Sequence, residues 1–180
     1  MKTTKELIRG RLETPMHVGR PGLLNRELFL SRVNTILDNA VFTNNGPFVQ
    51  ELEVYVCKQL RVSHCIAVAN ATLGLELLLA ALELQGEVIV PAFTFISTAQ
   101  AILRTGLKPV FCDIAPQEQG SVSAQSVRKH ITEKTSAILA VNLYGYAADV
   151  DGLSKLAAEH NLKLVFDSAH ALGVKVNGKF

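Results

Sequence analysis

Short apolar runs alternate with helical stretches along most of this chain, and that alternation constrains the fold more than any other feature. The runs are Cys65–Ala69, Glu87–Val90, Leu107–Phe111, Ser136–Val141 and Leu162–Phe166. The helical stretches between them lie near Leu73–Leu84, Ile96–Arg104, Ser123–Ile131 and Val150–His160. Continuous apolar runs, rather than polar–apolar alternation, are what strands show when both faces of a sheet are covered. Strands and helices in strict alternation give a parallel sheet between two helical layers. The expected fold class is therefore α/β: a three-layer αβα sandwich around a mostly parallel sheet. Gly106 stands where a helix should end and Ser123 where one should begin.

Upstream, Leu28, Val33, Ile36 and Leu37 recur at helical spacing, with Asn25 available as the cap. Thr43-Asn-Asn-Gly-Pro47 reads as a loop, and Pro47 suits the first turn of a helix over Phe48–Leu60. The expected organisation is an N-terminal helical segment, residues 1–40, followed by a partial large domain, residues 41–180. At the other end, Gly173–Phe180 reads as a strand entering a turn at Asn177-Gly178, with no return strand behind it. The expectation is an architecture left incomplete.

Composition narrows the class of function. The chain has 180 residues, 48% of them hydrophobic, and a net charge of +2 with both signs interspersed. That balance argues against a dedicated nucleic-acid surface. No apolar run approaches the roughly 18 residues needed to span a membrane. Met1-Lys-Thr-Thr-Lys-Glu-Leu7 has no apolar core behind it and does not read as a signal peptide, so the expected location is cytoplasmic. Cys57, Cys65 and Cys112 sit in apolar contexts without a C-x-x-C spacing, which suggests buried free thiols rather than a disulfide or zinc site. His17, His64, His130 and His160 suggest no metal site, and Arg128, Lys155 and Glu159 read as solvated helix faces. Neither a P-loop nor a G-x-G-x-x-G fingerprint is present.

The chemistry-bearing residues fall just past strand ends, the edge at which open α/β sheets bind ligands. Leu164-Val-Phe-Asp-Ser-Ala-His-Ala171 delivers Asp167 and His170 there. A carboxylate after a buried strand is costly unless a cation meets it. The protonated ring nitrogen of pyridoxal phosphate is one such cation, and a cap on a following helix is the alternative. Ala69-Asn-Ala-Thr-Leu73 places small residues at a helix start, where backbone N–H groups and the helix dipole favour an anion; Thr72 could bind a phosphate or cap the helix. Phe93 and Phe95, in Pro91-Ala-Phe-Thr-Phe95, could stack on a planar ligand or belong to the core. Asn142-Leu-Tyr-Gly145 offers an amide and a phenol at the same edge. His170 could touch a cofactor oxygen or be an ordinary helix histidine.

Taken in order, these segments resemble the DegT-type sugar-nucleotide aminotransferases, fold-type-I pyridoxal phosphate enzymes. The likeness runs from about Arg20 onward and rests on Thr43-Asn-Asn-Gly-Pro-Phe-Val-Gln-Glu-Leu-Glu53, Asn70-Ala-Thr72, Glu87-Val-Ile-Val-Pro-Ala-Phe-Thr-Phe95, Asn142-Leu-Tyr-Gly145 and Asp167-Ser-Ala-His-Ala171. Gly19-Arg-Pro21 and the Thr43–Pro47 loop resemble members that aminate C4 of nucleotide-linked 4-keto-6-deoxyhexoses. The resemblance implies that Ala71 and Thr72 hold the cofactor phosphate and Phe95 stacks on the pyridine ring, with Phe93 behind it. It implies that Asp167 pairs with the ring nitrogen and that His170 lies near the phenolic oxygen. Asn142 stands where many members carry His. The implied partners are a nucleotide-linked keto sugar, glutamate as amino donor, and a second subunit, with no nucleic acid and no membrane.

The same resemblance expects the Schiff-base lysine in a Ser-Phe-His-x-x-Lys type segment downstream of the Asp. Lys175 and Lys179 lie too near Asp167, on the expected hairpin strand, to replace it. The expectation is thus the N-terminal part of a fold-type-I large domain, without a catalytic residue or the small domain, and inactive alone. Two other readings stay open: a sugar-nucleotide 3-dehydratase, in which histidine replaces that lysine, and a truncated non-catalytic product.

Overall fold

The computed structural model describes residues 22, 25–114 and 120–178. The chain divides into two compact units, Met1–Gly46 and Pro47–Phe180. In the first, helix α1 spans Arg26–Asn39 and the Asn25 side chain caps it, accepting the Leu28 N–H at 2.8 Å. α1 ends at Ala40, which adopts a left-handed φ of 51°. None of its side chains is buried; Leu28 and Leu37 are about half exposed.

The second unit opens with α2, Pro47–Leu60. Proline at the first helical position loses nothing, because that N–H has no intrahelical partner. The Cys65–Ala69 run, expected to be a strand, has no regular secondary structure and enters no ladder among the described residues. Its Ala67 N–H donates to the Glu53 carboxylate at 2.7 Å instead, and Ile66 is 81% exposed. An apolar β-branched run becomes a strand only when a neighbour supplies the ladder, and no described strand lies beside it.

After α3, Ala71–Ala81, the alternation plays out as expected: β1 Glu87–Pro91, α4 Ile96–Arg104, β2 Lys108–Cys112, α5 Ala124–Arg128, β3 Thr135–Val141, α6 Val150–Glu159 and β4 Lys163–Asp167. The sheet order is β2-β1-β3-β4, and every neighbouring pair is parallel. Side chains along each strand alternate between faces. Val88 and Val90 of β1 and Ala137, Leu139 and Val141 of β3 pack with Leu75 and Leu79 of α3 and Ala101 and Ile102 of α4. Ile89, Ile138 and Ala140 turn the other way, onto Val127 of α5 and Leu153, Leu156 and Ala157 of α6. The central strands β1 and β3 are thus buried on both faces, while the edge strand β2 stays partly exposed, and the sandwich has three layers.

Chirality explains which helix lies on which face. The β1-to-β2 crossover moves one way along the sheet, while β2-to-β3 and β3-to-β4 move the other way. Right-handed connections then put α4 opposite α5 and α6. Strand order reverses between β1 and β3, which makes their carboxyl ends a topological switch point.

The opposite edge of the sheet is structural. Glu87 is 7% exposed, accepts the Lys108 ammonium at 2.9 Å and the Thr132 hydroxyl at 2.8 Å, and so ties β1 to β2 and to the turn before β3. These two bonds, Lys108 foremost, hold its carboxyl below the usual glutamate range. Gly86, at φ +86°, lets the Lys134 carbonyl reach the Glu87 N–H at 2.8 Å; a Cβ at Gly86 would collide with that carbonyl.

Several local expectations change. α5 is shorter than the Ser123–Ile131 stretch implied, although Ser123 does cap it, in a reciprocal arrangement with Ser126. Only Cys112 of the three free cysteines is buried; Cys57 and Cys65 are partly exposed. Gly173–Val176 forms no ladder strand beyond a single bridge at Val176; a turn at Leu172-Gly173 returns the Val174 N–H to Ala171 O at 3.0 Å. Asn177 and Gly178 do adopt the two positive φ values, 50° and 78°, of a type I′ turn. Arg128 and Glu159, expected to be only solvated, pair at 2.6 Å between α5 and α6. No described helix is long and apolar enough to cross a membrane.

Candidate active site

β4 ends on Asp167, which lies level with Val141 of β3 and is 8% exposed. Its Oδ1 accepts the Ala169 N–H at 3.3 Å, and its Oδ2 accepts the Thr98 hydroxyl at 2.8 Å. No helix follows β4 among the described residues, so Asp167 caps none. The carboxylate is buried at the strand end and held there by donors on both oxygens.

Thr98 belongs to the first turn of α4 and is fully buried. Its single proton goes to Asp167, so the 2.9 Å contact between the Thr94 and Thr98 hydroxyls is a bond donated by Thr94. Thr94 sits in the loop that β1 feeds into α4. In that loop Phe93 is 50% and Phe95 65% exposed, so neither is buried among the described residues. Phe95 occupies the N-cap position of α4 but makes no capping bond.

α3 brings the third component. Its cap is Asn70, whose side chain accepts the Leu73 N–H at 2.9 Å; Thr72 does not cap it. The first intrahelical bond is Gly74 N–H to Asn70 O. The N–H groups of Ala71 and Thr72 come before it and belong to the unpaired first turn, where an anion is favoured.

β3 leads into Asn142 and a single 3₁₀ turn, Leu143–Gly145. Both ends of the Asn142 amide are committed: Nδ2 donates to Ser168 Oγ at 2.8 Å and Oδ1 accepts the Ala148 N–H at 2.9 Å. The residue thereby staples the loop after β3 to the loop after β4. Tyr144 sits at a left-handed φ of 52° and stacks on His170, with ring centroids 5.7 Å apart and planes 10° from parallel. The Tyr144 N–H also points to His170 Nδ1 at 3.5 Å. In the neutral ring this leaves the proton on Nε2. His170 lies in a turn rather than a helix.

Ala71, Thr72, Phe95, Asn142, Asp167 and His170 all line one cavity of about 230 Å³ at the carboxyl ends of β1, β3 and β4. The cavity lies at the switch point of the sheet, the position expected for a ligand. It is smaller than the roughly 300–1,000 Å³ pockets that enclose drug-sized ligands, a size that suits a single-ring compound. One wall supplies helix N–H groups, another a buried carboxylate, and the mouth an exposed aromatic. Sequence reasoning did not single out Thr98, Thr94 or Ser168. The available signal was the pair of hydroxyls Thr94 and Thr98, four positions apart, one in the loop after β1 and one in the first turn of α4. No group of three metal-ligating side chains occurs among the described residues.

Residues 24–180 match the DegT/DnrJ/EryC1/StrS aminotransferase family. The chain belongs to this family. It is 40% identical over 161 residues to a dTDP-4-amino-4,6-dideoxy-D-glucose transaminase of Escherichia coli, an alignment covering 89% of this chain and 43% of that protein. Its structure is similar to that of DesI in the presence of its TDP-sugar product, with a TM-score of 0.87 and 42% identity over 93% of this chain and 43% of the other. It is also similar to a GDP-4-keto-6-deoxymannose-3-dehydratase holding a PLP–glutamate geminal diamine, with a TM-score of 0.80 and 25% identity over 88% and 43% of the two chains. The chain thus spans less than half the length of these relatives. It is homologous to pyridoxal phosphate-dependent aminotransferases, and its four-stranded parallel sheet aligns with part of fold-type-I aminotransferase structures.

Proposed function

We propose that this chain forms the cofactor-ring portion of a pyridoxal phosphate-dependent enzyme that aminates a nucleotide-linked keto sugar. In this reading the substrate is a dTDP-4-keto-6-deoxyhexose, glutamate donates the amino group, and the complete enzyme is a homodimer. The observation that carries the reading is the cavity itself. A buried carboxylate, an exposed aromatic and the open first turn of α3 meet in a space of about 230 Å³. That donor set fits the cofactor: an anion cradle for the phosphate, an acid for the ring nitrogen, and a flat apolar surface between them.

When bound, pyridoxal phosphate supplies an electron sink, and this sink is strongest with the ring nitrogen protonated. Asp167 would hold that proton on the nitrogen. The Ala71 and Thr72 N–H groups would bind the phosphate at the positive end of α3. Phe95 would cover the ring face and exclude water from it. His170, with Nδ1 engaged by the Tyr144 N–H, would present Nε2–H to the phenolic oxygen. Asn142 would act by holding Ser168, and hence the β4 loop, in register.

The aminotransferase and dehydratase readings differ in product. The complete gene product, loaded with pyridoxal phosphate, is incubated with dTDP-4-keto-6-deoxyglucose and ¹⁵N-glutamate. Appearance of ¹⁵N on C4, detected by NMR and mass spectrometry, is the expected result. Loss of the C3 hydroxyl without ¹⁵N incorporation would replace this reading with the dehydratase. No conversion of this substrate would overturn the substrate assignment.

A further inference from the structure

We propose that Thr98, relayed from Thr94, is the positioning residue that sets Asp167 against the cofactor ring; the inference rests on the reading of the cavity given above. Asp167 Oδ2 accepts the Thr98 hydroxyl at 2.8 Å, and Thr98 in turn accepts from Thr94 at 2.9 Å. Thr98 is fully buried, so no water can replace its hydroxyl at the carboxylate. The two anchors of Asp167 differ in kind. The Ala169 N–H, at 3.3 Å, belongs to the carboxylate's own turn and moves with it. Thr98 comes from α4, across the sheet edge, and is the fixed external reference for the carboxylate plane.

The chain of hydroxyls has a direction. Thr94 donates to Thr98 and Thr98 donates to Asp167, so each bond polarises the next and favours the acceptor state of the carboxylate. Thr94 directly precedes Phe95. The relay therefore links the loop that carries the ring-covering aromatic to the acid that meets the ring nitrogen. A displacement of that loop reaches Asp167 through two hydrogen bonds. The packing role expected of a buried helical threonine would need only its methyl group. The hydroxyl, aimed at a carboxylate, does the positioning.

The test uses the complete gene product with Thr98→Val, which keeps the shape and removes the donor, and Thr98→Ser, which keeps the donor. The readouts are pyridoxal phosphate affinity and the ¹⁵N shift of the ring nitrogen in labelled cofactor, with thermal melting of the apoprotein in parallel. Thr98→Val is expected to weaken cofactor binding by about 10- to 100-fold, the span of a lost hydrogen bond to a charged group. It is also expected to move the ring-nitrogen shift toward the unprotonated value, with Thr98→Ser restoring both. Parent-like affinity and ring-nitrogen shift in Thr98→Val would overturn the proposal. So would equal losses in both variants, which would mark a packing role. If Thr98→Val does not fold, Thr94→Val is the second variant, with a smaller shift of the same sign expected; parent-like values there would overturn the relay. Failure of the parent protein to bind pyridoxal phosphate would instead overturn the cofactor reading, so the two failures are distinguishable.

Discussion

Replacing Asp167 with Asn tests the electrostatic core of the cavity, and its consequences for folding and for binding separate cleanly. In the free protein Asp167 accepts two bonds, from Thr98 at 2.8 Å and from Ala169 at 3.3 Å. Asn keeps one oxygen for the Ala169 N–H, and its amide can donate to Thr98 once that hydroxyl turns toward Thr94. The folded state therefore exchanges one charge-assisted bond for a neutral one, a cost of roughly 1–2 kcal/mol. Binding is affected far more. Asp167 is 8% exposed, and removing one partner of a buried ion pair costs about 3–5 kcal/mol. At about 1.4 kcal/mol per decade, that is a loss of roughly 10²- to 4 × 10³-fold in cofactor affinity. The assay is a pyridoxal phosphate titration followed by absorbance and fluorescence, with a thermal melt of each apoprotein. A near-parental melt with strongly weakened binding is expected. Parental affinity in a folded Asp167→Asn protein would refute the pairing of this carboxylate with a cationic ring.

Other perturbations test the frame around the site. Leu139, fully buried in β3 between α3 and α4, should cost about 2–5 kcal/mol as Leu139→Ala; a loss well under that in chemical denaturation would contradict the face assignment. Glu87 contributes to the acid limb of the stability profile. Its folded-state carboxyl is held low by Lys108 and Thr132, so its contribution is present above the unfolded glutamate value and lost as pH falls through the lowered folded value. Glu87→Gln should flatten the stability profile across that acidic window, and an unchanged slope would show that the Lys108 bridge adds nothing.

Much of this fold is legible in the sequence because burial on both faces writes itself as continuous apolar runs. β1, β3 and β4 could be read that way, and α4 was expected at its observed bounds. The Cys65–Ala69 run carries the same composition yet stays unpaired, since a ladder depends on a neighbour that local sequence does not encode. The residues of the cavity were also legible, because small residues, aromatics and acids just past strand ends have few structural reasons to be there. What holds them was not. Thr98 meets Asp167 across 69 positions and Asn142 meets Ser168 across 26; such partners exist only once the sheet order is known. Thr72 reads as a cap from sequence alone, but Asn70, two positions earlier, takes the Leu73 N–H. A cap is decided by which side chain has extended backbone at the helix boundary.

The central claim is that the cavity at the ends of β1, β3 and β4 is the seat of the cofactor ring. The most direct measurement is a crystal structure of the complete gene product with pyridoxal phosphate. The account expects the phosphate at the Ala71 and Thr72 N–H groups, the ring against Phe95, and the ring nitrogen within hydrogen-bond distance of Asp167. A cofactor bound elsewhere, or one whose nitrogen faces away from Asp167, would contradict it.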